Sequence, residues 1–280
     1  MSTESIAQAI CKDLGYKFVG KVGSGAFKDT YETIRADDVP EALKVFRQGH
    51  SPKRSEREID AMIKCDHPNI GKLRYVSHYT HAGQKYLFTI EEFLSGGTLT
   101  ERLKKGNLPV ATIQIVGSCL IDAIAHIADK DLVHRDIKPD NVMFRNEGGS
   151  PVIVDFGLVR NLIDKSLTHT WLMQGPGSPF FSAPEQLNND KELIDWRTDQ
   201  FALGILFSIS CFGLHPYAKT GDTPDDVVGR VSQREGLSEE FIARVKGSKF
   251  EVLVKMVAQW PVERFRTPEN LAAAWSTAFQ

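Results

Sequence analysis

The sequence predicts an α+β fold in two lobes, a small β-rich one followed by a larger, mainly helical one. Three observations carry that expectation. Residues 16–92 hold five short runs rich in β-branched and aromatic residues, separated by turn residues and interrupted by one helical stretch. Ser95-Gly96-Gly97 marks a change of character, after which apolar residues recur at helical spacing. Residues 201–212 are apolar nearly all round, the pattern of a helix buried at a domain centre.

The elements follow in order. Ile6, Ala9, Ile10 and Leu14 suggest a short amphipathic helix closed by Gly15, an extension (residues 1–15) ahead of the first lobe. Strands are expected at 16–22, 30–35 and 41–46, with Gly23, Ser24, Gly25 and Asp37-Asp38 as turns. A helix over 55–64 ends before His67-Pro68-Asn69. Strands over 73–78 and 85–92 are joined near His81-Ala82-Gly83. The small lobe then spans 16–92, a hinge 93–97 and the larger lobe 98–280. In the latter, a long helix over 109–129 shows Ile113, Val116, Leu120, Ile121, Ile124 and Ile127 at helical spacing. Helices at 98–105, 224–233, 238–245, 249–260 and 267–279 complete the lobe, and two open with Thr-Pro, a cap followed by proline at the first helical position. A cleft between the lobes is the natural ligand site.

Bulk properties narrow the class. At 280 residues the chain has ample core for one large domain or two lobes. Lys and Arg number 34 against 36 Asp and Glu, a net charge of −2 with both signs mixed, so no nucleic-acid or anionic-membrane partner is indicated. Cys11, Cys65, Cys119 and Cys211 lack metal-site or disulfide spacing and suit a reducing compartment. The 12-residue run 201–212 is too short to span a bilayer, and residues 1–5 show no secretion signal. A cytoplasmic protein is expected.

The chemistry concentrates in Leu132-Val133-His134-Arg135-Asp136-Ile137-Lys138-Pro139-Asp140-Asn141, where Pro139 prevents a helix and holds Asp136, Lys138 and Asn141 on one stiff loop. Fourteen residues after Asn141, the strand 152–154 delivers a second carboxylate in Asp155-Phe156-Gly157. Two carboxylates and a carboxamide brought together suggest a hydroxyl-activating base beside a hard-cation site. Val22-Gly23-Ser24-Gly25 lies between two strands, where glycines let backbone N–H groups approach a phosphate. Ala42 and Lys44 share a strand face, and Glu58 on the next helix is placed to reach Lys44.

With Ala183-Pro184-Glu185 downstream, these motifs resemble the eukaryotic-type serine/threonine protein kinase family over roughly residues 16 to 275. The resemblance implies a bilobal protein-kinase-like fold, ATP and Mg²⁺ as cofactors, and a protein substrate with a Ser or Thr acceptor, the chain itself included. It implies that Asp136 orients the substrate hydroxyl, Lys138 neutralises the moving phosphoryl group, and Asn141 and Asp155 hold Mg²⁺. Lys44, braced by Glu58, would hold the α- and β-phosphates under a loop made of Val22, Gly23, Ser24 and Gly25. Adenine would lie between Ala42 and Met143, with backbone bonds near Glu92 and Leu94. Asp199 would bond the catalytic-loop backbone, Arg264 would pair with Glu185, and His134 and Phe156 would stack with Met62. Lys138 and the Gly177-Ser178-Pro179 segment match the serine/threonine class, with Asp140 and Ser178 near the substrate. A nucleotide-binding scaffold without transfer and a small-molecule phosphotransferase are the rival readings.

Three positions depart from the pattern. Lys28 stands where a third glycine is usual, resembling the with-no-lysine kinases, although Lys44 is kept; Lys28 is expected as a second, partly redundant cation or as a solvent-facing side chain. Glu91, or Ile90 with a one-residue slip, falls on the back wall of the adenine pocket, where a carboxylate needs a partner or a raised pKa. Arg135 is placed to read a phosphate on Ser166, Thr168 or Thr170.

Overall fold

The structure is a computed structural model that describes residues 2–25, 27–49, 52–162 and 179–280. Ser166, Thr168, Thr170, Gly177 and Ser178 lie outside the described residues.

The small lobe begins with α1 (Thr3–Leu14), capped by the Ser2 side chain and closed by Gly15 in the left-handed region. Five strands follow as one antiparallel sheet: β1 (Lys17–Ser24), β2 (Lys28–Ile34), β3 (Pro40–Phe46), β4 (Leu73–His81) and β5 (Gln84–Glu92), in the order β1-β2-β3-β5-β4. Between β3 and β4 runs α2 (Pro52–Lys64).

Strand alternation gives the sheet two faces with different tasks. Tyr31, Leu43, Val45, Tyr86, Phe88 and Ile90 form one buried cluster with Ile6, Ala7, Ile10 and Cys11 of α1. The α1 helix therefore roofs the outer face. Its ends are tied down by Thr3, which donates to Asp29 at 2.6 Å, and by Asp13, which accepts from Tyr79 at 2.7 Å. The other face carries Lys28 and Thr30 of β2, Ala42 and Lys44 of β3, and Thr89 and Glu91 of β5, by the strand register. That polar face looks into the cleft.

The hinge is close-packed. A methyl group on Gly96 would sit 2.2 Å from the Asn146 carbonyl oxygen, so only glycine lets the crossing strand pass. Beyond it come α3 (Leu99–Leu103), α4 (Val110–Ala128), and the short strands β6 (Leu132–Val133), β7 (Val142–Phe144), β8 (Pro151–Ile153) and β9 (Arg160–Asn161). Strand β6 pairs with β9, and β7 with β8. The rest is helical: α5 (Pro184–Leu187), α6 (Trp196–Phe212), α7 (Pro224–Ser232), α8 (Glu239–Val245), α9 (Val252–Met256) and α10 (Pro268–Ala278).

The predicted helix over 109–129 forms as α4, and at 19 residues it is long and apolar enough to cross a membrane by length and composition. Here it is a core helix, burying Ile113, Val116, Leu120 and Ile124 in the cluster that also holds Leu203 of α6 and Trp275 of α10. The same cluster reaches upward through Phe156 and Ile70 to Ala61 and Met62 of α2 and to Cys65 just past its end. By its apolar contacts α2 thus belongs with the lower lobe, although the chain places it between strands of the upper one.

One predicted helix is cut short. The pattern over 249–260 predicts a continuous helix, yet α9 covers only Val252–Met256. Its continuation is claimed by tertiary bonds: Arg264 takes the carbonyls of Ala258 (2.8 Å) and Gln259 (3.2 Å), and Tyr217 donates to the Val257 carbonyl. Pro261 then forces an extended Trp260. Arg264 also meets Glu185 through a bidentate pair at 2.6 and 2.9 Å, both side chains fully buried, and Thr198 adds a third bond to that carboxylate at 2.9 Å. Removing one partner strands a buried charge, which costs roughly 3–5 kcal/mol.

His215 anchors the segment before α5. Its Nδ1 accepts from the Tyr217 N–H at 3.2 Å, so Nε2 carries the proton and donates to the Phe180 carbonyl at 3.1 Å. Burial lowers its pKa from the ordinary value to about 4.

Two outcomes follow from these contacts. Arg264→Met will lower the thermal unfolding midpoint by roughly 10 °C, as expected for a loss of several kcal/mol in a chain of this size; a shift below about 2 °C would contradict the pairing. Because His215 has a depressed folded pKa, the unfolded state binds more protons between pH 6.5 and 4, so stability falls as pH falls through that window. Between pH 7 and 5 the loss from this residue is about 2 kcal/mol. Denaturant titrations of His215→Gln will show a shallower pH dependence there, and an unchanged slope would refute the assignment.

Candidate active site

The catalytic loop is fixed from below. The Asp199 carboxylate, near the start of α6, accepts from the backbone N–H groups of His134 and Arg135, each at 2.8 Å. Arg135 is held at φ 69°, a left-handed conformation that costs energy for a residue with a side chain and persists only where its surroundings impose it. Gln186 of α5 adds a bond to the Arg135 carbonyl at 2.9 Å. His134 is fully buried and meets Phe156 edge-on, ring centroids 4.8 Å apart, in contact with the cluster that contains Met62. The Asp199 bonds and the His134–Phe156 contact are those the resemblance implies, whereas the Gln186 bond and the Arg135 conformation were not expected.

On that base stand the polar groups. Asp136 Oδ2 accepts from Lys138 Nζ at 3.0 Å and from Asn141 Nδ2 at 2.9 Å, and Asn141 Nδ2 also donates to the Asp136 carbonyl at 2.8 Å. The residues Pro139–Asn141 form a single 3-10 turn that brings Asn141 back to Asp136. Burial raises the Asp136 carboxyl above its ordinary pKa, and Lys138 opposes that shift. The Asn141 carbonyl accepts from Val154 N–H at 2.9 Å, which ties the loop to the strand that presents Asp155. Asp155 is itself at φ 67°, with its carboxylate 42% exposed. Among the described residues no group of three His, Cys, Asp or Glu side chains is arranged to hold a metal alone. Asn141 and Asp155 instead offer one carboxamide and one carboxylate, oxygen donors of the kind a hard cation takes when phosphate oxygens complete its shell.

The upper wall corrects the sequence reading. The expected pair of Lys44 with Glu58 does not form. Glu58 pairs with Lys28, whose Nζ also lies 3.3 Å from Asp155 Oδ1. Lys44 Nζ is 2.5 Å from Glu91 Oε2, and Thr89 donates to the other Glu91 oxygen at 2.9 Å. The reason is register. Strand β2 begins at Lys28, earlier than the predicted 30, and Thr30 lies opposite Lys44. The two lysines are therefore diagonal neighbours on the cleft face. Glu91 lies opposite Ala42, and thus diagonal to Lys44 on the other side. Glu91 is only 5% exposed, and the partner its carboxylate requires is Lys44. Lys28 is 12% exposed, which removes the solvent-facing alternative.

Charge in this wall is strongly coupled. Burial disfavours the Lys28 ammonium, but Asp155, Glu58 and Glu91 together hold its pKa above the ordinary value. Lys28 is also the main reason the Asp155 carboxyl is held well below the usual range. Burial pushes Glu58 upward against the pull of Lys28.

Of the remaining predicted residues, Ala42 lies on the cleft face, whereas Glu92 lies opposite Glu41 on the other face of the sheet. Val22 is exposed, and Gly25 N–H closes the loop turn onto the Lys28 carbonyl at 2.9 Å. Ser24 donates to Asp29 at 2.7 Å. Ala42 and Leu94 are buried, Met143 is partly buried and bridges to Thr98, and Glu92 pairs with Arg145. Asp140 accepts from Thr100 at 3.0 Å.

Sequence reasoning missed Arg54. Its Nε donates to the Gly157 carbonyl at 2.7 Å, and its guanidinium lies 4.3 Å from the Phe27 ring centroid. The signal was its position one helical turn before Glu58, which puts both on the same face of α2.

Comparison with known proteins agrees with this geometry. The protein kinase domain family matches residues 16–276. The serine/threonine-protein kinase PrkC of Bacillus subtilis (strain 168) is 30% identical over 275 residues, covering 94% of this chain and 40% of that protein. The probable serine/threonine-protein kinase CPE1738 of Clostridium perfringens is 25% identical over 268 residues, covering 95% of this chain and 35% of that protein. Human ribosomal protein S6 kinase alpha-2 is 26% identical over 269 residues, 93% of this chain and 35% of that protein. The chain thus spans about a third to two-fifths of the length of these curated relatives. With the family match running across both lobes and the catalytic loop, the chain belongs to the eukaryotic-type serine/threonine protein kinase family.

Proposed function

We propose that this chain transfers the γ-phosphoryl group of ATP to Ser and Thr hydroxyls of proteins, itself included, with Mg²⁺. The observation that carries this is the Asp136 carboxylate held between Lys138 and Asn141 on a loop pinned by Asp199. A carboxylate so fixed orients an acceptor hydroxyl and takes up its proton, and its raised pKa favours that uptake. Lys138, 3.0 Å from the same oxygen, is placed to neutralise charge on the moving phosphoryl group. Serine/threonine specificity is supported by Lys138 two residues after the base and by the printed names of the relatives.

Asn141 and Asp155 would hold the Mg²⁺. With the Asn141 amide nitrogen bonded to Asp136, its Oδ1 is the cation-binding end, and Asp155 directs a part-exposed carboxylate to the cleft. The cation, when bound, neutralises phosphate charge.

The triphosphate binds under the loop of Val22, Gly23, Ser24 and Gly25. A methyl group on Gly23 would lie 3.6 Å from Thr30 Cβ, and one on Gly25 3.4 Å from the Lys28 carbonyl oxygen. Packing within the fold tolerates both, and glycine at these positions leaves the backbone open to the close approach of a phosphate. Lysine charge comes from the cleft face that carries Lys28 and Lys44. Adenine lies between Ala42 and Met143, against the backbone of Glu92 and Leu94. The four free thiols suit the cytoplasm.

Asp136, Lys138, Asn141 and Asp155 in these positions weigh against a scaffold that binds without transferring. Radiolabelled ATP with Mg²⁺ tests the reading. The wild-type chain will label itself or a generic protein substrate on Ser or Thr, and Asp136→Ala will lose at least 10²-fold, the usual scale for removing such a group. Label from both proteins or from neither would contradict it.

A further inference from the structure

We infer that Asp29 is a positioning residue for the glycine loop, and that through Thr3 it couples the docking of α1 to the nucleotide site on the opposite face of the sheet. The inference rests on the kinase reading above and adds to it two residues that do not touch the nucleotide.

Three observations carry it. The first is where Asp29 stands. Strand β1 ends at Ser24, and the register pairs Ser24 with Asp29, so Asp29 lies at the base of the turn into β2. Along β2 the buried side chains are Asp29, Tyr31 and Thr33, and Tyr31 packs in the cluster under α1. Lys28 and Thr30 alternate with them and face the cleft. Asp29 therefore holds the loop from behind.

The second is what Asp29 binds. Its Oδ1 accepts from Ser24 Oγ, Arg47 Nη2 and Lys21 Nζ, each at 2.7 Å. Its Oδ2 accepts from Thr3 Oγ1 at 2.6 Å and Arg47 Nε at 3.1 Å. Arg47 Nη2 also donates to Ser24 Oγ at 2.8 Å. The hydroxyl of Ser24, the middle residue of Gly23-Ser24-Gly25, is thus held by both members of an ion pair. Asp29 is 3% exposed. Arg47, helped by Lys21, Thr3 and Ser24 against the cost of burial, holds its carboxyl well below the usual range.

The third is the tether to α1. Thr3 opens that helix, and because its hydroxyl proton goes to Asp29, its oxygen accepts from the Tyr31 hydroxyl at 2.8 Å. A continuous chain of bonds then runs from Tyr31 through Thr3 and Asp29 to Ser24. Ile6, Ala7, Ile10 and Cys11 fix the helix on the sheet, so Thr3 meets Asp29 at a set place. A loop held in this way gives up less freedom when it closes over a triphosphate, and the nucleotide binds more tightly for it.

The test compares Asp29→Asn, Thr3→Val, Thr3→Ser and Tyr79→Phe in phosphoryl transfer with Mg-ATP, with thermal midpoints measured alongside. Asp29→Asn will raise KM for Mg-ATP about tenfold and Thr3→Val about fivefold, the scale set by one or two hydrogen bonds. In both, kcat will stay within about twofold of wild type, because the saturated complex is unchanged. Thr3→Ser keeps the hydroxyl and will keep the wild-type KM. Tyr79→Phe removes the bond to Asp13 at the other end of α1, so it loosens the same helix without touching Asp29. It will leave KM unchanged, a split that a merely structural role for α1 would not give.

A KM within about twofold of wild type for Asp29→Asn overturns the assignment, as does a Tyr79→Phe variant that raises KM as much as Thr3→Val. Should Asp29→Asn fail to fold, Thr3→Val against Thr3→Ser decides alone. Absence of transfer by the wild-type chain would strike the kinase reading instead, and Mg-ATP dissociation constants from calorimetry then make the same comparison. A wild-type chain that neither transfers nor binds overturns both.

Discussion

The ammonium of Lys28, shared between Glu58 and Asp155, is the interaction on which the rest of the site depends. The apolar core leaves a gap there. One buried cluster joins α1 to the outer face of the sheet, and a second joins α2 to the lower lobe through Phe156. Between them Leu73 of β4 packs against the α2 cluster, while the part of the inner face that carries Lys28, Lys44, Thr89 and Glu91 is polar. There the link from β2 to α2 is made by charge. The Lys28–Glu58 pair couples β2 to α2, and the contact to Asp155 continues that coupling to the loop after β8. Arg54 reinforces it by bonding the Gly157 carbonyl.

Buried charges cost desolvation, and an arrangement like this persists when each charge is matched. Two lysines and three carboxylates share one wall, and the pairing is selective: Lys28 with Glu58 and Asp155, Lys44 with Glu91. Glu91 is what makes the division possible. A carboxylate on the adenine wall demands a cation of its own, and the nearest is the strand β3 lysine. The glycine loop then supplies the cation that Glu58 holds. Below the cleft, strain and hydrogen bonding do the equivalent work, with Arg135 and Asp155 both in left-handed backbone conformations and Asp199 bonding two consecutive N–H groups.

The parts of this arrangement that were legible in the sequence are those set by local spacing. Asp136, Lys138 and Asn141 lie within six residues around a proline, so their convergence follows from chain stiffness alone. The Glu185–Arg264 pair and the Asp199 support followed from family resemblance and hold here. The lysine pairing was not legible, because it depends on where β2 starts and on which diagonal neighbours meet across three strands. A start at residue 30 leaves Lys28 in a loop, whereas a start at Lys28 aims it at α2. Strand β8 was visible as the apolar run 152–154, but β6, β7 and β9 are two or three residues long, too short for alternation to register. The truncated α9 was hidden for a different reason, since Arg264 and Tyr217 capture the carbonyls that would have continued it.

A crystal structure of the chain with Mg²⁺ and a non-hydrolysable ATP analogue tests the central claim most directly. The account predicts that Lys28 stays paired with Glu58 and Lys44 with Glu91 when the nucleotide is bound. Lys44 found paired with Glu58, with Lys28 turned to solvent, would contradict it.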